Sequence, residues 1–72
     1  MPKNREKNDV RVGQVWESCD KREKGRQIIV ERIEEGRAVC RRWGRGAIFG
    51  NATRIRLDRF KPISTGYRLV IR

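Results

Sequence analysis

Five arginines and two aromatic residues lie within residues 41–56, and no acidic residue lies among them. A guanidinium group presents a planar fork of N–H donors that matches the oxygens of a phosphate. An exposed aromatic ring offers an unpaired base a flat surface on which to stack. Together these residue types predict contact with nucleic acid, DNA or RNA. The predicted contact residues are Arg41, Arg42, Trp43, Arg45, Phe49, Arg54 and Arg56.

The charge is distributed unevenly along the chain. Residues 1–36 carry nine basic and eight acidic side chains, whereas residues 37–72 carry ten basic side chains and one acid. The second half therefore supplies +9 (ten minus one) of the formal net charge of +10. A GC-rich genome would explain why arginine outnumbers lysine, but not the scarcity of acids. Because a one-sided basic field attracts polyanions, further basic contacts are predicted at Arg37, Arg59, Lys61, Arg68 and Arg72.

Residues for catalysis or metal binding are scarce. The chain has no histidine, and its two cysteines, Cys19 and Cys40, are too far apart to form the paired ligands of a zinc site. A reduced pair, with Cys40 buried as a small hydrophobic residue, is favoured over a disulfide. The sequence therefore predicts a protein that is not an enzyme and has no metal, cofactor or small-molecule substrate.

The N-terminal residues indicate a cellular location. Residues 1–9 are polar and charged without periodicity, which predicts a disordered tail. No hydrophobic segment follows their basic residues, as a secretory signal would require, and no apolar run is long enough to span a membrane. We expect a cytoplasmic protein without membrane contact.

Short stretches of alternating apolar and polar residues predict an all-β domain. A bulge near Glu31 and Arg32 would bring Ile33 onto the face of Ile28 and Val30. A tight turn is expected at Glu35 and Gly36, a long glycine-rich hairpin loop at 44–52 and a single helical turn at 58–62. The predicted strands cover residues 10–16, 26–34, 37–43, 53–57 and 66–72.

This order of elements predicts one domain over residues 10–72, a small five-stranded SH3-like barrel with a one-turn helix before the last strand. A five-stranded OB-type barrel is the alternative, but it requires a longer helix between the third and fourth strands. Barrel closure would also remove exposed strand edges. The predicted core residues are Val12, Val15, Ile28, Val30, Ile33, Ala38, Cys40, Ile55, Leu57, Phe60, Tyr67, Leu69 and Ile71.

Four runs of residues resemble a family of small proteins from actinobacteria and their phages. These runs are "GQVW" (13–16), the pattern D-x-R-x-x-G-R (20–26), "TRIRLDRF" (53–60) and "STGYRLV" (64–70). The resemblance implies a small β-rich domain and is compatible with a phage origin, but it carries no assigned activity. A looser likeness of fold connects "GRQIIVERIEEGRAV" (25–39) with the KOW and SH3-like barrels of translation and transcription proteins.

A second function fits the same residues. Tryptophan and arginine are enriched at the centres of protein interfaces, so Trp43, Ile48 and Phe49 could anchor a protein-interaction module, for instance a phage accessory protein docking on a host protein. An accessory subunit of a homo-oligomer is a third possibility. Nucleic-acid binding, mainly through phosphate and with low sequence specificity, agrees best with the charge.

Overall fold

A single antiparallel sheet of five strands organises the protein in the computed structural model, which describes residues 10–71. The strands are β1 (Val15–Ser18), β2 (Gln27–Glu34), β3 (Arg37–Gly44), β4 (Ala47–Arg56) and β5 (Tyr67–Ile71). The helical segments within residues 10–71 are two 3-10 turns, Lys21–Glu23 and Leu57–Arg59. The predicted tail at 1–9 and Arg72 lie outside the described residues.

The strand order is β4-β3-β2-β1-β5, so the last strand returns to pair with the first. This order and the 3-10 turn before β5 confirm the predicted all-β, five-stranded SH3-like fold. The OB-type alternative is wrong, because two residues rather than a helix connect β3 to β4. The sheet nevertheless keeps two edges, because within the described residues β4 pairs only with β3 and β5 only with β1.

Two-residue turns connect the three central strands. Glu35 and Gly36 have φ values of 49° and 78°, and Arg45 and Gly46 have φ values of 52° and 75°. Two successive positive φ values define a type I′ turn, whose twist matches that of the flanking strands. The turn predicted at Glu35 and Gly36 is confirmed. The long loop predicted at 44–52 is wrong, because the tight turn at Arg45 and Gly46 lets β4 begin at residue 47.

Two bulges interrupt the pairing of the central strands. In β2, Val30 pairs with Cys40 and Arg32 with Val39, so Glu31 is the extra residue that the sequence predicted. In β4, residues 50–52 lie opposite Arg41 alone, since the flanking pairs join Cys40 to Thr53 and Arg42 to Phe49. The second bulge carries Gly50 at φ 83° and was not predicted.

Phe60 occupies the core of the sheet and is 3% exposed, as predicted. Its ring meets Trp16 edge to face, with 5.0 Å between ring centroids, and stacks on Tyr67 at 5.5 Å. Aromatic pairs in these arrangements contribute about 0.5–1.5 kcal/mol beyond their buried area. The buried cluster comprises Val10, Trp16, Ile28, Val30, Ala38, Cys40 and Phe60, against which Ile55, Leu57 and Tyr67 pack.

Four predicted core residues are exposed: Val12 (62%), Ile33 (40%), Leu69 (37%) and Ile71 (46%). Val12 precedes β1, which begins only at residue 15 because the chain turns at residues 12 and 13. Leu69 and Ile71 belong to the edge strand β5, whose outer side has no neighbouring strand among residues 10–71. Conversely, Val10, Trp16 and Val39 are buried although the predicted core omits them. No helix of the described residues has the length and apolarity to cross a membrane.

Candidate nucleic-acid interface

The predicted contact residues of β3 are divided between the two faces of the sheet. Ala38 and Cys40 point into the core, and because side chains alternate along a strand, Arg42 extends from this core face. Arg41 and Trp43 therefore lie on the opposite, outer face. The seven predicted contact residues do not form one surface, because a strand cannot present consecutive side chains on one side.

Two arginines face each other on the outer face. Arg37 of β3 is directly opposite Arg56 of β4, and Arg54 lies two residues further along the same face of β4. The Arg56 guanidinium is 3.5 Å from Asp58, whereas no carboxylate of residues 10–71 lies within 4.0 Å of the Arg37 guanidinium. Like charges opposed across a strand pair are destabilising. We call Arg37, Arg54 and Arg56 the outer arginine cluster.

Carboxylates of β2 lie near several arginines of this face, including Arg54 of the cluster. Glu34 accepts a hydrogen bond of 2.9 Å from Nε of Arg32 and lies 4.0 Å from Nη2 of Arg54. Glu31 lies 3.7 Å from Nη1 of Arg41. Acids from the first half of the sequence thus meet arginines of the second half. The charge asymmetry along the sequence is therefore partly evened out in space, although exposed pairs such as these stabilise by only about 0–1 kcal/mol each.

Arg41 has a structural role. Its Nε donates a hydrogen bond of 3.0 Å to the carbonyl oxygen of Gly50, within the β4 bulge. The bulge takes this carbonyl out of the regular ladder, and the arginine supplies the missing donor. With Glu31 also nearby, Arg41 is less available to an external phosphate than its position in the sequence predicts.

Arg42 and Phe49 form a pair on the other face of the hairpin. They are direct cross-strand partners, and Cζ of Arg42 lies 5.2 Å from the centroid of the Phe49 ring. The ring is 45% exposed. This separation is within the range of a cation–π interaction. Phe49 therefore lies outside the core, as a partly exposed ring beneath a guanidinium.

Trp43 is separated from Phe49 by the thickness of the sheet. It is half-buried on the outer face, where its direct partners are Gln27 of β2 and Ile48 of β4. Arg45 is exposed in the turn that joins β3 to β4, and its side chain has no ion pair or hydrogen bond with residues 10–71. The two predicted stacking residues thus cannot contact the same base.

The secondary basic residues are scattered. Arg59 donates a hydrogen bond of 2.7 Å to the carbonyl oxygen of Thr65, which anchors the segment between the second 3-10 turn and β5. Arg68 donates one of 3.2 Å to Glu17 across β5 and β1. Lys61 is exposed. Of the predicted secondary contacts that lie within residues 10–71, Arg37 is the one beside the primary contacts, opposite Arg56.

Sequence reasoning missed Arg32, which lies on the outer face beside Val39. Val39 is 3% exposed and is flanked in register by Arg32 and Arg54. The aliphatic stems of arginines at such positions are long enough to cover a valine. The predicted bulge near Glu31 and Arg32 contains the signal that could have found it, since the bulge decides which β2 residue faces Val39.

The shifted pKa values in the core and in the first loop have structural causes. Burial raises the pKa of the Cys40 thiol to about 12, and both cysteines are free, as predicted. Hydrogen bonds from the side chain and backbone of Arg22 lower the pKa of Asp20, which caps the first 3-10 turn. Residues 10–71 hold no cluster of three or more histidine, cysteine or acidic side chains suited to a metal ion.

Comparison of the chain with protein-family models, curated proteins and solved structures finds no match. The resemblance to the family of actinobacterial and phage proteins therefore stays a prediction. The surface of β3 and β4 is the basis on which a function can be proposed.

Proposed function

We propose that the protein binds nucleic acid through phosphate contacts on the outer face of β3 and β4. The observation that carries this proposal is the direct opposition of Arg37 and Arg56, with Arg54 beside them. Glu34 faces Arg37 from β2, and Asp58 lies 3.5 Å from Arg56. Like charges opposed across a strand pair are still unfavourable, and a phosphate between Arg37 and Arg56 would relieve that repulsion. Each can also bind phosphate oxygens through two parallel hydrogen bonds.

The expected binding has low sequence specificity. Phosphate contacts fix the position of a protein on the polymer but carry no direct sequence information. Residues 10–71 contain no α-helix that could enter a major groove. The net charge of +10 supports attraction to any polyanion. A cytoplasmic location and a phage origin are parts of the same proposal.

The salt dependence of binding tests the proposal. The affinity for a labelled DNA duplex is measured by fluorescence anisotropy between 50 and 200 mM salt. Each phosphate contact contributes about −0.9 to the slope of log affinity against log salt concentration. Replacing both Arg37 and Arg56 with glutamine should therefore make the slope less negative by about 1.8 and weaken binding at low salt.

The matched control replaces Lys21 and Lys24 with glutamine. Both lysines are exposed at the first 3-10 turn, and the substitution removes the same formal charge from a different surface. We expect a smaller loss of affinity and a slope close to that of the wild type. Equal effects of the two double variants would contradict the assignment of binding to β3 and β4.

A protein-interaction module is the second candidate, favoured by exposed apolar residues near the end of the β3–β4 hairpin. Ile48 is 42% and Phe49 45% exposed. They lie on opposite faces, so a partner would have to hold the hairpin from both sides. Binding to such a partner would depend weakly on salt, and it would be lost on substitution of Ile48 or Phe49 but not of the outer arginine cluster.

A further inference from the structure

The Arg42–Phe49 pair lies outside the outer arginine cluster and has an environment of its own. A Cβ atom built at Gly44 would lie 3.1 Å from Cε1 of Phe49, and one built at Gly50 would lie 3.4 Å from Cγ of Arg42. Ring and arginine stem therefore rest directly against glycine backbone. Neither glycine contributes a side chain that would cover the pair, and the Phe49 ring remains 45% exposed.

The guanidinium of Arg42 is held at the margin of the core. Arg42 is the direct cross-strand partner of Ile28, which is 5% exposed. Nε of Arg42 is buried and has no hydrogen-bond partner among the described residues, in contrast to Nε of Arg41, which is bonded to Gly50. A partly desolvated cation interacts more strongly with rings and anions than a hydrated one does.

From this geometry we infer that the preferred nucleic acid is single-stranded and that one unpaired base stacks on the Arg42–Phe49 pair. This inference rests on the proposed function. Bases stack on exposed aromatic rings and on guanidinium planes, and they can do so only when they are not paired within a duplex.

The position of the Arg42–Phe49 pair favours a flexible, single-stranded nucleic acid over a duplex. Phe49 and the outer arginine cluster lie on opposite faces of the hairpin, and β4 between them is an edge strand. A polymer that contacts both surfaces must cross this edge. Duplex DNA, with a persistence length of about 150 base pairs, resists so sharp a bend, whereas a single strand does not.

The experiment compares three probes of equal length: an oligo-dT strand, an abasic strand with the same phosphates, and a DNA duplex. Their affinities for the full chain are measured by anisotropy at one salt concentration. We expect oligo-dT to bind about tenfold more tightly than the abasic strand, because stacking of one base contributes about that factor. Equal affinities for these two strands would overturn the inference and leave the proposed function intact.

Two variants identify the pair as the stacking surface. Phe49→Leu keeps an apolar side chain but removes the flat ring, so it should abolish the preference for oligo-dT over the abasic strand. Ile48→Leu is the matched control, since Ile48 is similarly exposed on the opposite face, and it should keep the preference. A preference retained in Phe49→Leu would overturn the assignment to Phe49.

A second measurement applies even where Phe49→Leu fails to fold. In a Trp43→Phe background the remaining tryptophan, Trp16, is buried in the core. There Phe49→Trp keeps an aromatic ring at the site and adds a fluorophore whose emission is read against that of the background variant. Oligo-dT should quench its emission and the abasic strand should not; equal quenching by both would contradict base stacking. If none of the three probes binds, the proposed function itself fails.

Discussion

Arginines that are equivalent by composition have different roles once their neighbours are known. Arg41 supplies the donor for a bulge carbonyl, and Arg42 covers a ring at the margin of the core. Arg37 has neither kind of contact within residues 10–71 and faces Arg56 instead. An arginine without an internal partner is the one whose guanidinium is free to bind an external anion. Local contacts therefore separate Arg37, at the centre of the proposed binding surface, from the arginines with structural roles.

The thiol of a single residue, Cys40, should make the stability of the protein depend on pH. Its pKa rises from 9.0 to about 12 on folding, because burial disfavours the thiolate. Between these values the unfolded chain loses the thiol proton while the folded chain keeps it, so the contribution of this group to stability is complete below pH 9 and declines as the pH rises. The free energy of unfolding should fall by up to about 1.4 kcal/mol per pH unit from this group.

Urea denaturation at pH 8, 9, 10 and 11 checks this expectation. Cys40→Ala removes the thiol and should show a shallower decline of stability above pH 9 than the wild type. The pKa of Tyr67 is raised chiefly by burial and to a small extent by Cys40. Tyr67 is present in both proteins, so the larger, burial part of its contribution cancels in the comparison. Parallel declines in the two proteins would show that the Cys40 thiol does not titrate as described.

At the scale of elements, the two type I′ turns determine how β2, β3 and β4 pair. Each turn has glycine at its second position but a long charged residue, Glu35 or Arg45, at its first. A positive φ is unfavourable for such residues and is tolerated much better by asparagine. The strands therefore hold these two residues in a conformation that they would otherwise avoid.

Glu35→Asn should stabilise the protein. The substitution places asparagine and glycine in a type I′ turn, the preferred pair, and we expect the free energy of unfolding to rise by roughly 0.5–1 kcal/mol. A higher midpoint of urea denaturation with an unchanged m-value would confirm it. Gly36→Ala is the opposing variant, which should lower the midpoint because alanine would have to adopt φ 78°. A midpoint unchanged in Glu35→Asn would show that the turn carries no strain.

Local patterns predicted the strands better than they predicted the site. The alternation of apolar and polar residues and the turn at Glu35 and Gly36 correctly predict β2 and the start of β3, because each signal lies within a few neighbouring residues. Glycines at 44, 46 and 50 were interpreted as one loop, whereas they belong to a tight turn and a bulge in paired strands. The contacts of Arg41 and Arg54 with glutamates of β2 depend on register. The bulge at Glu31 sets that register, and alternation predicts the bulge but not which β3 residues pair on either side of it.

At the scale of the whole molecule, the charged side chains should matter much more for binding than for the stability of the fold. Ion pairs such as Arg54–Glu34 and Arg56–Asp58 join well-exposed side chains, at 4.0 and 3.5 Å. Salt screens such pairs readily, but they contribute little to stability in the first place. The aromatic and aliphatic cluster around Phe60 is insensitive to this screening.

Raising the salt concentration from 50 to 200 mM should therefore change the free energy of unfolding by less than about 1 kcal/mol. Affinity for duplex DNA should fall about a hundredfold over the same range if four phosphates are contacted. Urea denaturation and anisotropy on the same samples measure both quantities. A loss of stability that parallels the loss of affinity would mean that salt acts on the fold rather than on the interface.

The bulge in β4 contains two extra residues, and its presence has a consequence for how the chain can vary in length. Side chains of a strand alternate with a period of two, so an even insertion leaves every residue beyond it on its original side. A bulge absorbs an odd number of extra residues as well: in the β2 bulge at Glu31, Val30 and Ile33 on either side pair with Cys40 and Ala38 of the core face. Removing one residue from positions 50–52 would therefore leave a bulge of this kind, with Ile48 still opposite Trp43 and Phe49 still opposite Arg42. The bulge can change in length without exchanging the two surfaces of the hairpin end.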